Sequence, residues 1–324
     1  MLSDRFGRSI DYLRLSVTDR CDLRCSYCIP KGFKDFEEPA NWLGFAEIQR
    51  VVAAFARLGC RRIRLTGGEP LLRRNLPDLV NMLATLPGVD DLSLSTNGTQ
   101  LAKQAHALKA AGLQRLNVSL DSLRRDCVAS ISGSDSLEQV LQGLSVARDA
   151  GFASIKINMV PLAGINDHDI DAMLAYCKAH GFILRLIEAM PMGHTGQQAD
   201  GLDLSQLLSS LSQRHGLTPS AVSLGGGPAR YWQSQDGSCT LGLITPMSQH
   251  FCASCNRVRL SVDGTLYMCL GQEEKLELRP LLRAGCSDAE LEIAIRTAIE
   301  LKPERHEFKQ QPQQIMRLMS MTGG

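Results

Sequence analysis

No stretch of the sequence approaches the ~18 consecutive uncharged apolar residues that a membrane-crossing helix needs, so no membrane partner is expected. An excess of charge of one sign is missing too: Lys plus Arg is 35 against 34 for Asp plus Glu, a formal net charge of +1. That balance offers no broad basic surface to nucleic acid or anionic lipid and leaves room only for local clusters. The opening residues 1–12 carry no apolar signal-peptide core, which places the chain in the cytoplasm as an expectation. In that compartment a disulfide framework is not expected. What the sequence does have is 11 cysteines in 324 residues. In a reducing environment, clustered thiols read as metal or redox ligands, and the function is to be sought there. The rest of the composition, 44% hydrophobic and 21% charged, is ordinary for a globular chain. At roughly 150 residues per domain, the length suggests two domains.

From residue 11 to about 213, short β-rich runs alternate with longer amphipathic stretches. The spacing predicts strands over Tyr12–Thr18, Arg61–Thr66, Asp91–Ser95, Arg115–Asp121, Ser154–Val160 and Ile183–Met190. Helices are predicted near 44–58, 74–86, 101–111, 136–150, 168–180 and 202–213. Gly59, Gly112, Gly151 and Gly181 fall at helix ends, where a left-handed cap needs glycine. Repeated βα units imply a parallel sheet with right-handed crossovers. Eight units close a full barrel, so six leave it open or wide.

Strands covered on both faces read as continuous apolar runs. These do not. Arg14 and Ser16 alternate with Leu13, Leu15 and Val17, and the pattern recurs at Arg62, Arg64 and Thr66. It continues at Ser93, Ser95 and Asn97, at Asn117, Ser119 and Asp121, and at Lys156 with Asn158. With period-two alternation one face is polar. If helices cover the apolar face, the polar face lines a wet, cationic lumen; the other reading is an open sheet with one solvated face.

Gly225-Gly226-Gly227-Pro228 is the best linker candidate, dividing a barrel domain, 1–224, from a smaller α+β domain, 225–324. In the second part a hairpin around Asp263-Gly264 is predicted to join Arg257–Val262 to Thr265–Cys269, with helices near 273–284 and 287–300. Cys21, Cys25 and Cys28 form a CxxxCxxC run directly after the first strand, at the end of a barrel where chemistry is placed. Four cysteines usually complete a 4Fe–4S centre; three can hold one while leaving an iron open to an external chelator. The competing reading is zinc, although no nearby His or Cys completes a fourth ligand. Cys252, Cys255 and Cys269 form a second triplet, which by itself fits either metal. A zinc ribbon could recruit His250, Cys239 or Cys286. Cys60, Cys127, Cys177, Cys239 and Cys286 otherwise read as small apolar residues.

CxxxCxxC after a first strand, with Tyr27 before the last cysteine, resembles the radical S-adenosylmethionine (SAM) superfamily, whose fold is a partial (βα)6 TIM-type barrel. Thr66-Gly67-Gly68-Glu69-Pro70 is similar to that superfamily's GGEP motif, where bare backbone approaches the SAM ammonium. The runs LRLSVTDRCDLRCSYCIP, IRLTGGEPLLR, LSTNG, NVSLD and CNRVRLSVDGTLYMCL narrow the resemblance. They are similar, over essentially the whole chain, to the branch that cyclises GTP in the first step of molybdenum cofactor biosynthesis.

The resemblance implies a lyase with SAM and two three-cysteine 4Fe–4S clusters as cofactors, Cys21/Cys25/Cys28 and Cys252/Cys255/Cys269. It implies SAM contacts at Tyr27, Gly68, Ser119 and Met190. GTP contacts are implied at Arg14, Arg64, Ser95, Lys156, Arg257 and Arg259, and a further active-site arginine at Arg185 beside Arg257 and Arg259. Ser95 stands where the family carries threonine and keeps the hydroxyl. By the same resemblance, guanine ligates the open iron of the second cluster, and a 5′-deoxyadenosyl radical takes hydrogen from ribose C3′ before C3′ joins C8. A homodimer, an unidentified one-electron reductant and delivery of product to cyclic pyranopterin monophosphate synthase are implied as well. Taken without the resemblance, Gly323-Gly324 is a frayed end; with it, the pair reaches the active site. Two competing readings are a peptide-modifying radical SAM enzyme with an auxiliary cluster, and a zinc-ribbon binding module fused to a barrel.

Overall fold

Leu13, Leu15, Ile63, Leu65, Leu92 and Leu94 alternate with polar residues along the first three strands, and each is at most 1% exposed. This apolar face meets the helices, and burying it drives the fold. A computed structural model describes residues 1–324 except 31, 35, 193–195, 198, 223, 309–316 and 324. The first part runs β1 (Tyr12–Ser16), α1 (Phe45–Arg57), β2 (Arg62–Thr66), α2 (Leu76–Ala84), β3 (Asp91–Thr96), α3 (Leu101–Ala110) and β4 (Arg115–Ser119). It continues through α4 (Arg125–Ser132), α5 (Leu137–Asp149), β5 (Ser154–Met159), α6 (Ile170–His180), β6 (Ile183–Ile187) and α7 (Leu204–His215).

The expected βα alternation is therefore present, with the capping glycines at positive φ. Helix α4 was not anticipated. It packs only Cys127, Val128 and Ile131 as buried apolar residues, too short a stripe to stand out in the sequence.

The second part runs β7 (Leu217–Ser220), β8 (Arg230–Ser234), β9 (Thr240–Ile244), β10 (Arg257–Leu260), β11 (Thr265–Tyr267), β12 (Lys275–Glu277), α8 (Arg279–Arg283), α9 (Asp288–Glu300) and α10 (Met319–Thr322). The sheet order is β12-β11-β10-β1-β2-β3-β4-β5-β6-β9-β8-β7. β10 pairs parallel with β1, and β9 pairs parallel with β6. Strands from beyond residue 225 thus extend the barrel sheet on both edges, which local periodicity could not reveal.

One predicted helix is corrected. The stretch 273–284 forms β12 followed by the short α8, because Leu276 pairs with Leu266 while Lys275 and Glu277 point outward. Pro280 then belongs to a first helical turn, where a missing N–H costs nothing. The helix predicted at 287–300 is α9, started by a capping box in which Ser287 and Glu290 satisfy each other's backbone N–H.

The glycine segment is seated across the base of the barrel. Leu224 O accepts Lys156 Nζ and Arg115 Nη1, and Gly226 O accepts Asn256 Nδ2 at 3.3 Å. Arg62 bonds Asp11 at the same end. Among the described residues, no helix is long and apolar enough to cross a membrane.

Candidate active site

Strand register puts the cations side by side. Arg14 of β1 is level with Arg64 of β2 and Arg259 of β10, and Tyr12 is level with Arg257. Asn158 of β5 lies between Ser119 of β4 and Arg185 of β6. The polar faces of these strands enclose two adjoining cavities.

One cavity is lined by Cys252, Cys255 and Cys269 together with Arg14, Arg64, Arg185, Arg257 and Arg259. The other is lined by Cys21, Cys25 and Cys28 together with Tyr27, Gly68, Ser119 and Met190. Ser95, Asn158, Ile187 and Met190 line both, so the two spaces share a wall. Of the cysteines and the SAM and GTP contacts expected from the resemblance, Lys156 alone lines neither cavity; its ammonium is bonded to Leu224 O at the barrel base.

The arginines repel one another. Arg14 is 8% exposed, and its Nε and Nη2 are buried without a partner. Burial, then the charges of Arg259 and Arg64, pushes its pKa well below the usual arginine value. The same causes, burial first and neighbouring arginines next, bring Arg259 down to about 9, Arg185 to about 10 and Lys156 to about 7. A group of buried, mutually repelling cations with orphaned donors is a preformed anion site. Arg185 is held in place by Asn158 Oδ1, which accepts from its Nε at 2.9 Å.

Around the first triplet, Gly67 and Gly68 are required by close packing. A Cβ on Gly67 would lie 2.2 Å from Thr18 O, and one on Gly68 would lie 2.3 Å from Arg20 O. The glycines let β2 end against the backbone that leads into the cysteine loop, and both line the cavity of the first triplet. Glu69, fully buried, accepts Leu71 N and Thr96 Oγ1 at Oε1 and Asn97 N at Oε2; burial nevertheless raises its pKa to about 7. Asp121 accepts Tyr27 Oη at 2.6 Å and Val160 N at 2.8 Å, tying the cysteine loop to β4 and β5. Neither carboxylate was picked out as a site residue, although both stand inside the quoted motifs GGEP and NVSLD.

The chain's end also reaches the site. Arg259 Nη1 donates to Thr322 O at 3.2 Å and to Gly323 O, and Met319 and Ser320 line the second cavity. Gly323 lies so close to Thr66 Oγ1 that a Cβ would stand 2.0 Å away. Gly324 lies outside the described residues.

Two family models match the chain: Radical SAM superfamily over residues 15–177 and Molybdenum Cofactor Synthesis C over residues 182–308. A Pseudomonas aeruginosa protein called GTP 3′,8-cyclase 2 is 47% identical over 328 residues, covering 100% of this chain and 98% of its own. GTP 3′,8-cyclases of Ectopseudomonas mendocina and Paracoccus denitrificans are each 45% identical, over 100% of this chain and 98% and 96% of theirs. The chain belongs to the GTP 3′,8-cyclase family of radical SAM enzymes. Among solved structures, Streptococcus suis SuiB bound to its precursor peptide SuiA matches with a TM-score of 0.62 at 14% identity, over 93% of this chain and 72% of that one. Methylornithine synthase matches with a TM-score of 0.51 at 15% identity, over 63% of this chain and 62% of its own. At such identities the likeness concerns the radical SAM fold.

The residues fit the cofactors of a GTP 3′,8-cyclase. Burial raises the thiols of Cys21 and Cys28 to about 12 and about 11, so their thiolates form when a bound metal displaces the protons. Among the described residues no three His, Cys, Asp or Glu side chains converge tightly enough to share one metal ion. Each triplet lines one of the two cavities, and a cluster takes one thiolate per iron.

Proposed function

We propose that the protein is a radical SAM lyase that converts GTP to (8S)-3′,8-cyclo-7,8-dihydroguanosine 5′-triphosphate, the first step of molybdenum cofactor biosynthesis. The observation that carries this reading is the shared wall: a thiol triplet in each of two adjoining cavities, with orphaned guanidinium nitrogens of Arg14 and Arg257 in the cavity of the second triplet. Cys21, Cys25 and Cys28 hold the cluster that faces SAM, and Cys252, Cys255 and Cys269, in the 225–324 domain, hold the one that faces guanine. When bound, SAM and the reduced first cluster supply a 5′-deoxyadenosyl radical able to take hydrogen from ribose C3′.

The chain's own residues do the rest. Arg14, Arg64, Arg257 and Arg259 meet the triphosphate and ribose, relieving their mutual repulsion. Ser95, Asn158 and Met190, at the shared wall, keep nucleotide and SAM in contact over a short path. Arg185 is fixed by Asn158 and Asn117. The barrel excludes water from a reactive carbon radical. Anaerobic assays are expected to show SAM cleavage stimulated by GTP and not by peptides; stimulation by a peptide alone overturns the nucleotide assignment. We further read the protein as a cytoplasmic homodimer, served by a one-electron reductant, whose product passes to cyclic pyranopterin monophosphate synthase.

Lys156, bonded at the barrel base outside both cavities, gives this reading a pH signature through its charge alone. Burial and then Arg185 lower its pKa to about 7, so the ligand-free chain loses this charge as pH rises through 7. A bound polyanion favours the protonated form and raises the pKa in the complex. GTP affinity therefore declines with pH from about 7 upward, with proton uptake on binding. Lys156→Arg, which stays charged, is expected to flatten the decline; an unchanged profile in calorimetry at several pH values contradicts this role.

A further inference from the structure

A buried lysine beside the second triplet has no role in the reading above. Lys302 follows α9 and is 1% exposed, among the largest fully buried side chains of the molecule. Its Nζ donates to Arg257 O at 3.0 Å and to Met268 O at 2.6 Å. Those carbonyls lie two residues after Cys255 and one before Cys269, so a single ammonium joins the two segments that carry these ligands. Among the described residues Lys302 makes no ion pair with a carboxylate. The neighbouring buried cation, Arg8, differs: it donates to Cys252 O at 2.9 Å, but Asp4 lies 2.6 Å from its Nε and balances its charge.

Burying an ammonium without a counter-charge costs several kcal/mol. Two carbonyl acceptors satisfy two of its three N–H groups but not its charge. The acidic groups around it are the thiols. The charge of Lys302 reaches Cys252, Cys255 and Cys269 alike.

We propose that Lys302 is the built-in counter-cation of the Cys252/Cys255/Cys269 cluster: a positioning residue that clasps the ligand segments and offsets the cluster's negative charge. The proposal rests on the reading that this triplet holds a cluster. Three thiolates make such a cluster anionic, and reduction makes it more so. A fixed ammonium therefore favours the reduced state and raises the reduction potential. It also favours the thiolate ligands during assembly, because it attracts the deprotonated form.

The test uses the full chain with Cys21, Cys25 and Cys28 all changed to alanine, so that one cluster is left. Iron, labile sulfide and an EPR-monitored redox titration are compared for Lys302, Lys302→Arg and Lys302→Met. Lys302→Met is expected to lower the midpoint potential enough to cut the reduced-to-oxidised ratio at least tenfold at the parent's midpoint, or to lose the cluster altogether. Lys302→Arg is expected to keep both the cluster and a near-parental midpoint. A lysine that merely satisfies two carbonyls would leave the potential of loaded Lys302→Met unshifted, and that result overturns the proposal. So does Lys302→Arg behaving as badly as Lys302→Met. A parent without iron or sulfide refutes the cluster assignment itself, and the proposal with it.

Discussion

Cys25→Ala is expected to bring SAM cleavage to background, while Cys252→Ala keeps a large part of it and loses cyclisation. The asymmetry follows from the division of the lumen. Cys25 lines the cavity that also holds Tyr27, Gly68 and Ser119, whereas Cys252 lines the one that holds the arginines. Cys25 is half-buried, and its thiol is raised well above the usual value, by desolvation first and then by Cys28. An alanine there removes one of the three thiols proposed to hold the cluster, and with it the cluster that would chelate SAM. Cys252 stands across the shared wall, where its loss disturbs how the base is held and leaves the SAM cavity complete. Measuring 5′-deoxyadenosine and cyclised product in the same anaerobic assay separates the effects. Equal loss of both in Cys252→Ala, with the first cluster intact, contradicts the division.

Arg14→Met is expected to stabilise the empty protein and cripple the loaded one. Arg14 is buried with two orphaned nitrogens and lies level with Arg64 and Arg259, so in the absence of an anion its charge is a liability. Replacing such a cation by a packed apolar side chain is often neutral or stabilising. With GTP present, the same nitrogens complete charge-assisted bonds, and losing them should lower kcat/KM about 100-fold, roughly 2.7 kcal/mol. The Tm of the empty protein should hold or rise, and the rise in Tm on adding GTP should shrink. A fall in the empty protein's Tm with GTP affinity unchanged would mark Arg14 as structural. Arg259→Ala should also weaken GTP handling, but it differs in freeing the chain's end, since Arg259 holds Thr322 O and Gly323 O.

The polar alternation along the strands carried most of what the sequence could say. Arg14, Arg64, Ser95, Ser119 and Asn158 all line the cavities, because strand side chains alternate wherever the strand goes. Both cysteine triplets were legible as local spacings. What stayed hidden depends on distant contacts. That β10 lies beside β1 and β9 beside β6 follows from pairings across much of the chain, which no local pattern encodes. Lys156 sits on the expected face, yet meets the glycine segment instead of the cavity, because Leu224 O folds back beneath the barrel. Lys302 was invisible for a similar reason: in sequence it is a lone charge after a helix, and only the fold buries it between Arg257 and Met268. Helix 273–284 failed because three residues of strand pairing outweighed a weak helical pattern.

The central claim is that this chain carries two incomplete iron–sulfur cubes, one in each cavity. Iron and acid-labile sulfide in full-length protein, isolated and reconstituted without oxygen, test it most directly. The account expects about eight of each per chain, falling to about four when either cysteine triplet is changed to alanine. Colourless protein holding zinc and no sulfide, or an iron content indifferent to the loss of Cys252, Cys255 and Cys269, would contradict it.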